Sequence, residues 1–156
     1  MLIKTKFHGE KEIDEQKIIT FVEGLPGFEN RHKFVLLEHK PGGPVFWLQS
    51  LEDEKLAFAV ISPCDFYADY KPELESNDMQ FLELTSMEDA LVLAILVVPP
   101  DPAQITVNLQ APLVINRRNN LGRQVILQNS LYKTRHYLFN QQVEAGYQEK
   151  LLAEAK

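Results

Sequence analysis

The stretch from residue 108 to residue 128 constrains the fold more than any other part of the chain, because it has the pattern of a β-hairpin. Two apolar runs, Pro112–Ile115 and Gln124–Leu127, flank a polar turn. Asn119, Asn120 and Gly122 supply this turn with residue types that tolerate a positive φ angle. The segment therefore predicts a pair of antiparallel strands, and it contains no catalytic motif.

Similar short runs of β-branched and aromatic residues recur along the chain and predict further strands. The predicted strands are Leu2–Phe7, Glu10–Asp14, Ile18–Phe21, Phe34–Leu37, Phe46–Ser50, Ala57–Ile61 and the buried run Ala90–Pro100. Their aromatic members are expected in the core, namely Phe21, Phe34, Phe46, Trp47 and Phe58. Helical patterns are limited to Ser76–Glu83, a turn opened by Ser86, and an amphipathic tail at Asn140–Lys156. Regularly spaced short strands favour a mainly β fold, either a barrel or a sandwich.

The length of 156 residues and the 45% hydrophobic content predict one domain. The single cysteine, Cys64, excludes an intramolecular disulfide, and we expect it to be a small buried apolar residue. No signal-like segment is present, and the longest apolar run is too short to span a bilayer. We therefore expect a cytoplasmic protein without membrane association.

The charge of the chain is unevenly distributed. Residues 52–101 contain twelve acidic residues and two lysines, a balance of −10, whereas residues 112–156 contain seven basic and three acidic residues, a balance of +4. An acidic segment repels phosphates and attracts a basic partner. Arg117, Arg118 and Arg123 leave nucleic-acid binding open as a weaker alternative.

Candidate catalytic groups are few. The four histidines lack the spacing of a metal site, and Gly24–Gly27 lacks the glycine spacing and lysine of a phosphate-binding loop. Asp65 and Asp69 could act as paired carboxylates, but nothing in the sequence places them in a pocket. We predict no metal and no cofactor, and we keep a small β-barrel enzyme or ligand carrier as the alternative function.

Aromatic residues outside the predicted strands are better candidates for function. Phe28 follows a glycine-rich loop, and Phe66, Tyr67 and Tyr70 stand among acidic residues. Aromatic anchors surrounded by polar residues are typical of protein-binding patches. Core packing explains these aromatic residues less well than those in the strands, so we expect a protein-binding surface there.

Several separate segments together resemble the flagellar assembly factor FliW family. They are Phe7–Gly9, Ile18–Glu29, Lys33–Leu37, Phe46–Ser50, Leu56–Val60, Asn108–Asn116, Gly122–Leu127 and Tyr132–His136, in this order along residues 2–138. The resemblance implies a small antiparallel β-barrel-like domain at residues 1–138, followed by a helical tail at residues 139–156. It also implies a regulator, not an enzyme, which is a monomer when free.

The resemblance implies two partners, the RNA-binding translational repressor CsrA and newly made flagellin. Flagellin would occupy the protein until it is exported, and the released protein would then bind CsrA and relieve repression of flagellin translation. The recognisable motifs are structural, so the contact residues are predicted from composition. The candidates for CsrA are Asp65, Phe66, Asp69, Tyr70, Glu73 and Glu75, and those for flagellin are Leu25 and Phe28.

Overall fold

Seven strands close into a β-barrel in the computed structural model, which describes residues 1–128 and 131–140. The strands are β1 (Leu2–Lys4), β2 (Glu10–Glu12), β3 (Ile19–Phe21), β4 (Lys33–Glu38), β5 (Phe46–Ser50), β6 (Ala57–Ile61), β7 (Ala90–Val97), β8 (Thr106–Val107), β9 (Leu113–Asn116), β10 (Leu121–Gln124) and β11 (His136–Tyr137). The described residues contain one α-helix, α1, at Ser76–Phe81. The predicted mainly β class is confirmed, and of the two architectures left open it is the barrel.

The barrel runs in the order β7, β6, β5, β4, β3, β10, β9 and closes where β9 pairs with β7. All of these pairs are antiparallel except β3 with β10, where Gly122 lies beside Phe21. The far end of β7 leaves the barrel and pairs with β8, which pairs in turn with β11. The barrel therefore closes through two pairings that local periodicity does not reveal.

Alternate residues of the barrel strands fill its lumen, as the period of two in a β-strand requires. The buried members of this cluster are Ile19, Phe21, Leu25, Phe34, Leu48, Leu56, Val60, Leu93, Leu113 and Ile115. Phe46 and Phe58 pack against them from partly buried positions. The lumen is thus a packed core and not a channel.

Two layers cover the outside of the barrel. The hairpin of β1 and β2 places Ile3 and Ile13 against Val35 and Leu37 of β4. On another side, α1 and the adjoining loops form a larger apolar cluster that includes Leu82 and the outward-facing side chains of β6, β7 and β9. This second layer contains most of the acidic segment.

The predicted hairpin exists, but its second strand is Leu121–Gln124 and not Gln124–Leu127. Asn120 supplies the positive φ angle in the turn, at 58°, whereas Gly122 lies within the strand. A Cβ atom on Gly122 would stand 2.7 Å from Cε1 of Phe21, so the missing side chain makes room for the lumen. The strand begins early because Gly122 must face Phe21, which leaves the following apolar residues to pack outside the barrel.

The helical predictions are confirmed where the structure describes them. Glu75 is the N-cap of α1, and its amide donates to Oδ2 of Asp78 at 3.4 Å. Ser86 caps a short 3-10 turn at Met87–Asp89, with Oγ accepting from the Glu88 amide at 3.2 Å. The predicted amphipathic tail lies outside the described residues apart from Asn140, which ends a 3-10 turn at Leu138–Asn140. Among the described residues no helix has the length and apolar character needed to cross a membrane.

Candidate protein-binding surface

The segment after β6 is held on the barrel by two aromatic side chains. Phe66 and Tyr70 are only 3% and 4% exposed and belong to the outer apolar cluster. The Tyr70 hydroxyl donates to the Leu109 carbonyl at 2.8 Å, which satisfies its polar atom inside the core. The expectation that core packing does not explain these two residues is therefore wrong. They fix the backbone that carries the neighbouring acids.

The acids next to these anchors in the sequence face solvent. Asp65, Asp69 and Glu73 are exposed, and within the described part of the chain their carboxylates accept no hydrogen bond and form no ion pair. Glu75 is also exposed, at the start of α1. The Glu75 side chain accepts from the backbone of Asp78 in the capping box of α1, whereas the carboxylates of Asp65, Asp69 and Glu73 are available to a partner.

Other acids of the same charged segment have structural roles. The Glu52 carboxylate accepts from the amides of His32 and Lys33 at the start of β4, and these hydrogen bonds, that from Lys33 above all, lower its pKa. Asp78 pairs with Nη1 of Arg123 at 3.2 Å, and Asp89 pairs with Nε of Arg118 at 3.3 Å. The acidic residues of this segment therefore fall into two groups. Some stabilise the fold through hydrogen bonds or ion pairs, and others remain free.

A groove of about 430 Å³ lies beside the free acids. We call it the aromatic groove. Its walls are formed by Phe66, Tyr67, Ala68, Asp69, Tyr70, Leu109, Leu131, Tyr132 and His136. Leu131 is 74% exposed, and the ring of Tyr132 meets that of Tyr70 edge to face at 4.7 Å. The acid–aromatic surface is this groove together with the carboxylates of Asp65, Asp69, Glu73 and Glu75.

Sequence reasoning missed the contribution of residues 131–136 to this surface. Tyr132 and His136 belong to a segment that resembles the family, yet they stand about sixty residues from the acidic cluster in the chain. The structure joins them because the Tyr132 hydroxyl accepts from the Lys71 amide at 3.0 Å. The only signal in the sequence was an aromatic pair in a polar segment, which does not show what it packs against.

Burial favours the neutral forms of two polar side chains of the groove, Tyr67 and His136. Burial raises the pKa of Tyr67 well above its usual range, and its hydroxyl has no hydrogen-bond partner in the described chain. Burial, with a smaller effect of Lys133, lowers the pKa of His136, whose Nε2 accepts from the Lys133 amide at 2.7 Å. The groove thus offers aromatic faces and one unsatisfied hydroxyl, while the charge lies on its rim.

A second, smaller groove of about 240 Å³ is lined by Lys71 and by two acids of the same segment. Glu73 and Glu75 stand on one wall, and Ile126 and Leu127 form the apolar side. Ile126 is exposed although it is a large aliphatic residue. Both grooves therefore combine apolar side chains with carboxylates, the two kinds of group that a protein interface uses in its core and its rim.

The residues predicted to bind flagellin lie in the loop at one end of the barrel. Leu25 is 2% exposed and belongs to the lumen cluster, so its prediction as a contact residue conflicts with its burial. Phe28 is 38% exposed, and its ring packs edge to face on Phe58 at 5.6 Å. The loop turns sharply because Gly24, at φ 69°, leaves no room for a side chain against the backbone of Glu29. The loop is mainly a plug, with Phe28 as its exposed part.

The remaining chemical candidates do not form a catalytic group. Cys64 is exposed, contrary to the expectation of a buried residue, because the 3-10 turn at Pro63–Asp65 directs it outwards. Partial burial of its thiol, with a smaller effect of Asp65, raises its pKa, so the unreactive thiol form prevails. No cluster of potential metal ligands occurs among residues 1–128 and 131–140. The packed lumen also disfavours a ligand carrier that uses the interior.

The three arginines of the nucleic-acid alternative do not form one patch. Arg123 pairs with Glu23 at 2.9 Å and with Asp78, and its guanidinium stacks on the ring of Phe81 at 4.2 Å. Arg117 and Arg118 lie in the turn after β9, at the end of the barrel. The structure therefore separates one arginine from the other two and weakens the alternative.

The protein is of the class of small closed β-barrels whose lumen is filled by side chains and whose outer face is acidic and grooved. The sequence model of the FliW protein family matches residues 2–138. Flagellar assembly factor FliW of Bacillus licheniformis is 46% identical over 135 residues, which cover 86% of this chain and 94% of the relative. That of Treponema denticola is 40% identical over 146 residues, covering 94% and 99% of the two chains. A crystal structure of the flagellar assembly factor FliW superposes with a TM-score of 0.83 at 41% identity and covers 92% of this chain and all of the other. The chain belongs to the FliW family.

Proposed function

We propose that this protein binds the translational repressor CsrA through the acid–aromatic surface and, alternately, binds flagellin, in the cytoplasm of a flagellated bacterium. Membership of a family of flagellar assembly factors is the first support. The observation that carries the choice of surface is the set of free carboxylates beside an open aromatic groove. The protein acts by occupancy and not by catalysis.

Charge supports the pairing of this surface with CsrA. A protein that binds RNA presents basic residues to phosphates, and the same residues are attracted to a surface of exposed carboxylates. Asp65, Asp69 and Glu73 are available for this because none of them forms an ion pair within the described part of the chain, and Lys71 is the one base among them. Binding of CsrA here would place acidic side chains where RNA otherwise binds or close to it. Steered association of this kind is fast and depends on salt.

The coupling to flagellin follows from mass action. Flagellin that accumulates in the cell occupies the protein, and export of flagellin releases it to bind CsrA. CsrA held in this way no longer represses flagellin translation. Phe28 remains the proposed flagellin contact because it keeps exposed aromatic area, and Val22 in the same loop is also exposed.

Stopped-flow measurement of CsrA association tests the proposed surface. We expect the triple variant Asp65→Lys, Asp69→Lys, Glu73→Lys to associate at least about tenfold more slowly at low salt, and to lose most of the salt dependence. The matched control is Glu10→Lys, Glu54→Lys, Glu88→Lys, which changes the charge equally at exposed positions outside the grooves.

Each result has a distinct meaning. Equal slowing of the two triple variants would show an effect of net charge and contradict the proposed surface. Calorimetry with the native protein tests the function itself, since absence of binding to both CsrA and flagellin at micromolar concentrations would contradict it. Flagellin that failed to displace CsrA would contradict the alternation of partners.

A further inference from the structure

The two ends of the barrel differ in how the lumen is shielded from solvent. Leu25 plugs one end, with Phe28 packed over Phe58. The other end opens into a pocket of about 450 Å³ whose floor consists of aliphatic lumen side chains. These floor residues are Ile19, Leu36, Leu91 and Ile115. At this end the packed lumen is therefore exposed to solvent, and the exposed part is the apolar floor of the pocket.

Basic residues surround the mouth of this pocket. Lys17 ends a 3-10 turn before β3, and Arg117 and Arg118 follow β9. The two segments are tied together, since Nδ2 of Asn120 donates to the Gln16 carbonyl at 2.6 Å. Three cations are thus held around one apolar depression by a fixed backbone.

Few carboxylates neutralise these cations. Asp89 pairs with Arg118, and Asp14 accepts from the Gln16 amide at 2.9 Å as the cap of the turn. Within the described part of the chain, the side chains of Lys17 and Arg117 form no ion pair. Glu15, on the same turn as Lys17, does not line the pocket. The mouth therefore keeps two unpaired positive charges.

The side chains of the floor and the mouth indicate which kind of ligand this pocket can bind. Aliphatic side chains favour an inserted apolar group, and the cations favour carboxylates on either side of it. An RNA strand would gain from the cations but would find no aromatic ring in this floor on which to stack a base. The mouth is wide open to solvent and does not enclose a small molecule, in contrast to ordinary ligand cavities.

We propose that the open end of the barrel binds a segment of a partner protein in which carboxylates flank an aliphatic side chain. This site is separate from the acid–aromatic surface, which shares none of its residues and has the opposite charge. An acidic segment is repelled by the one surface and attracted by the other. The protein thus has two interaction surfaces with opposite charge preferences.

Nuclear magnetic resonance with the ¹⁵N-labelled full chain tests the proposal. The probe is the peptide acetyl-Glu-Asp-Leu-Leu-Asp-Glu-amide, and the controls are its amide analogue, with Gln and Asn in place of the acids, and a uridine oligonucleotide. We expect the acidic peptide to shift the amide signals of Lys17, Leu91 and Arg117. The double variant Lys17→Glu, Arg117→Glu should weaken its binding about tenfold, as for the loss of two charge contacts.

The variant Lys11→Glu, Lys55→Glu carries the same charge change at exposed positions outside the pocket and should bind the peptide almost as the native chain does. Equal weakening in both double variants would overturn the proposal. So would an absence of shifts at millimolar peptide, equal shifts with the amide analogue, or stronger shifts with the oligonucleotide. None of these results bears on CsrA binding, which uses the other surface.

Discussion

The lumen of the barrel and the acid–aromatic surface both depend on aromatic residues, but the structure uses them differently. In the lumen, Phe21 and Phe34 are fully buried and meet edge to face at 5.6 Å. At the surface, Phe66 and Tyr70 are buried almost as deeply, while Tyr67 and Tyr132 remain on the wall of an open groove. The buried pair, Phe66 and Tyr70, therefore holds the second pair, Tyr67 and Tyr132, at the surface. Stability and binding can be separated residue by residue, and the following variants do so.

The largest effect is expected for the plug of the barrel. Leu25→Ala removes a buried side chain from the lumen and should lower the free energy of unfolding by about 2–5 kcal/mol. Phe28→Ala should cost distinctly less because its ring is partly exposed. Urea denaturation of both variants measures the difference. A larger loss for Phe28→Ala would reverse the roles assigned to plug and contact.

The two tyrosines of the covering segment provide a matched pair. Tyr70→Phe leaves the buried Leu109 carbonyl without its donor and should cost about 1–3 kcal/mol of unfolding free energy. Tyr67→Phe removes a buried hydroxyl that has no partner in the described chain, so it should be neutral or stabilising. Thermal unfolding distinguishes the two. Equal destabilisation would mean that the Tyr67 hydroxyl is satisfied in solution.

The arginines differ in a comparable way. Arg123→Ala breaks ion pairs with Glu23 and Asp78 and removes a guanidinium from the ring of Phe81. Because Asp78 is largely buried, we expect a loss of about 1–2 kcal/mol in unfolding free energy. Arg118→Ala breaks an exposed pair with Asp89 and should cost at most about 0.5 kcal/mol. Chemical denaturation at low and high salt checks both values, and a larger loss for Arg118→Ala would contradict this division.

The smallest effect concerns pH. Hydrogen bonds from the Lys33 and His32 amides lower the pKa of Glu52 in the folded state below its ordinary value of 4.5. Their stabilisation is therefore present above pH 4.5 and is lost as the pH falls through the folded-state pKa. Glu52→Gln should reduce the fall in stability in this acidic range, measured as the urea midpoint between about pH 6 and 3. An unchanged slope would show that other carboxyl groups account for the acid sensitivity.

Local pattern sufficed for some elements and failed for others. Phe46–Ser50 and Ala57–Ile61 were predicted with the bounds that the structure shows, because alternation and flanking turns define both. The second strand of the hairpin was misplaced, since its position depends on the contact of Gly122 with Phe21, about a hundred residues away in the chain. The parallel pairing of β3 with β10 is equally invisible to periodicity. Closure of the barrel is a tertiary property.

The candidate surface could be located from the sequence only in part, for the same reason. An acidic side chain such as Asp69 has few stable positions other than solvent, so composition predicts that the acids lie near the surface, but it does not show which of them form ion pairs there. An aromatic ring can be buried in the core or exposed at the surface, and composition does not distinguish the two. Only the three-dimensional fold shows that Tyr70 is a buried anchor and that Tyr132 lines the groove. Cys64 fails similarly, because a 3-10 turn and not the apolar run before it sets its exposure.

Hydrogen–deuterium exchange of the native protein with and without CsrA tests the central claim most directly. We predict slower exchange in two segments far apart in the sequence, residues 62–75 and 131–137, which the fold brings together at the acid–aromatic surface. The plug loop at residues 24–29 should be unchanged by CsrA. Protection confined to that loop or to the β1–β2 hairpin, with residues 62–75 unaffected, would contradict the account.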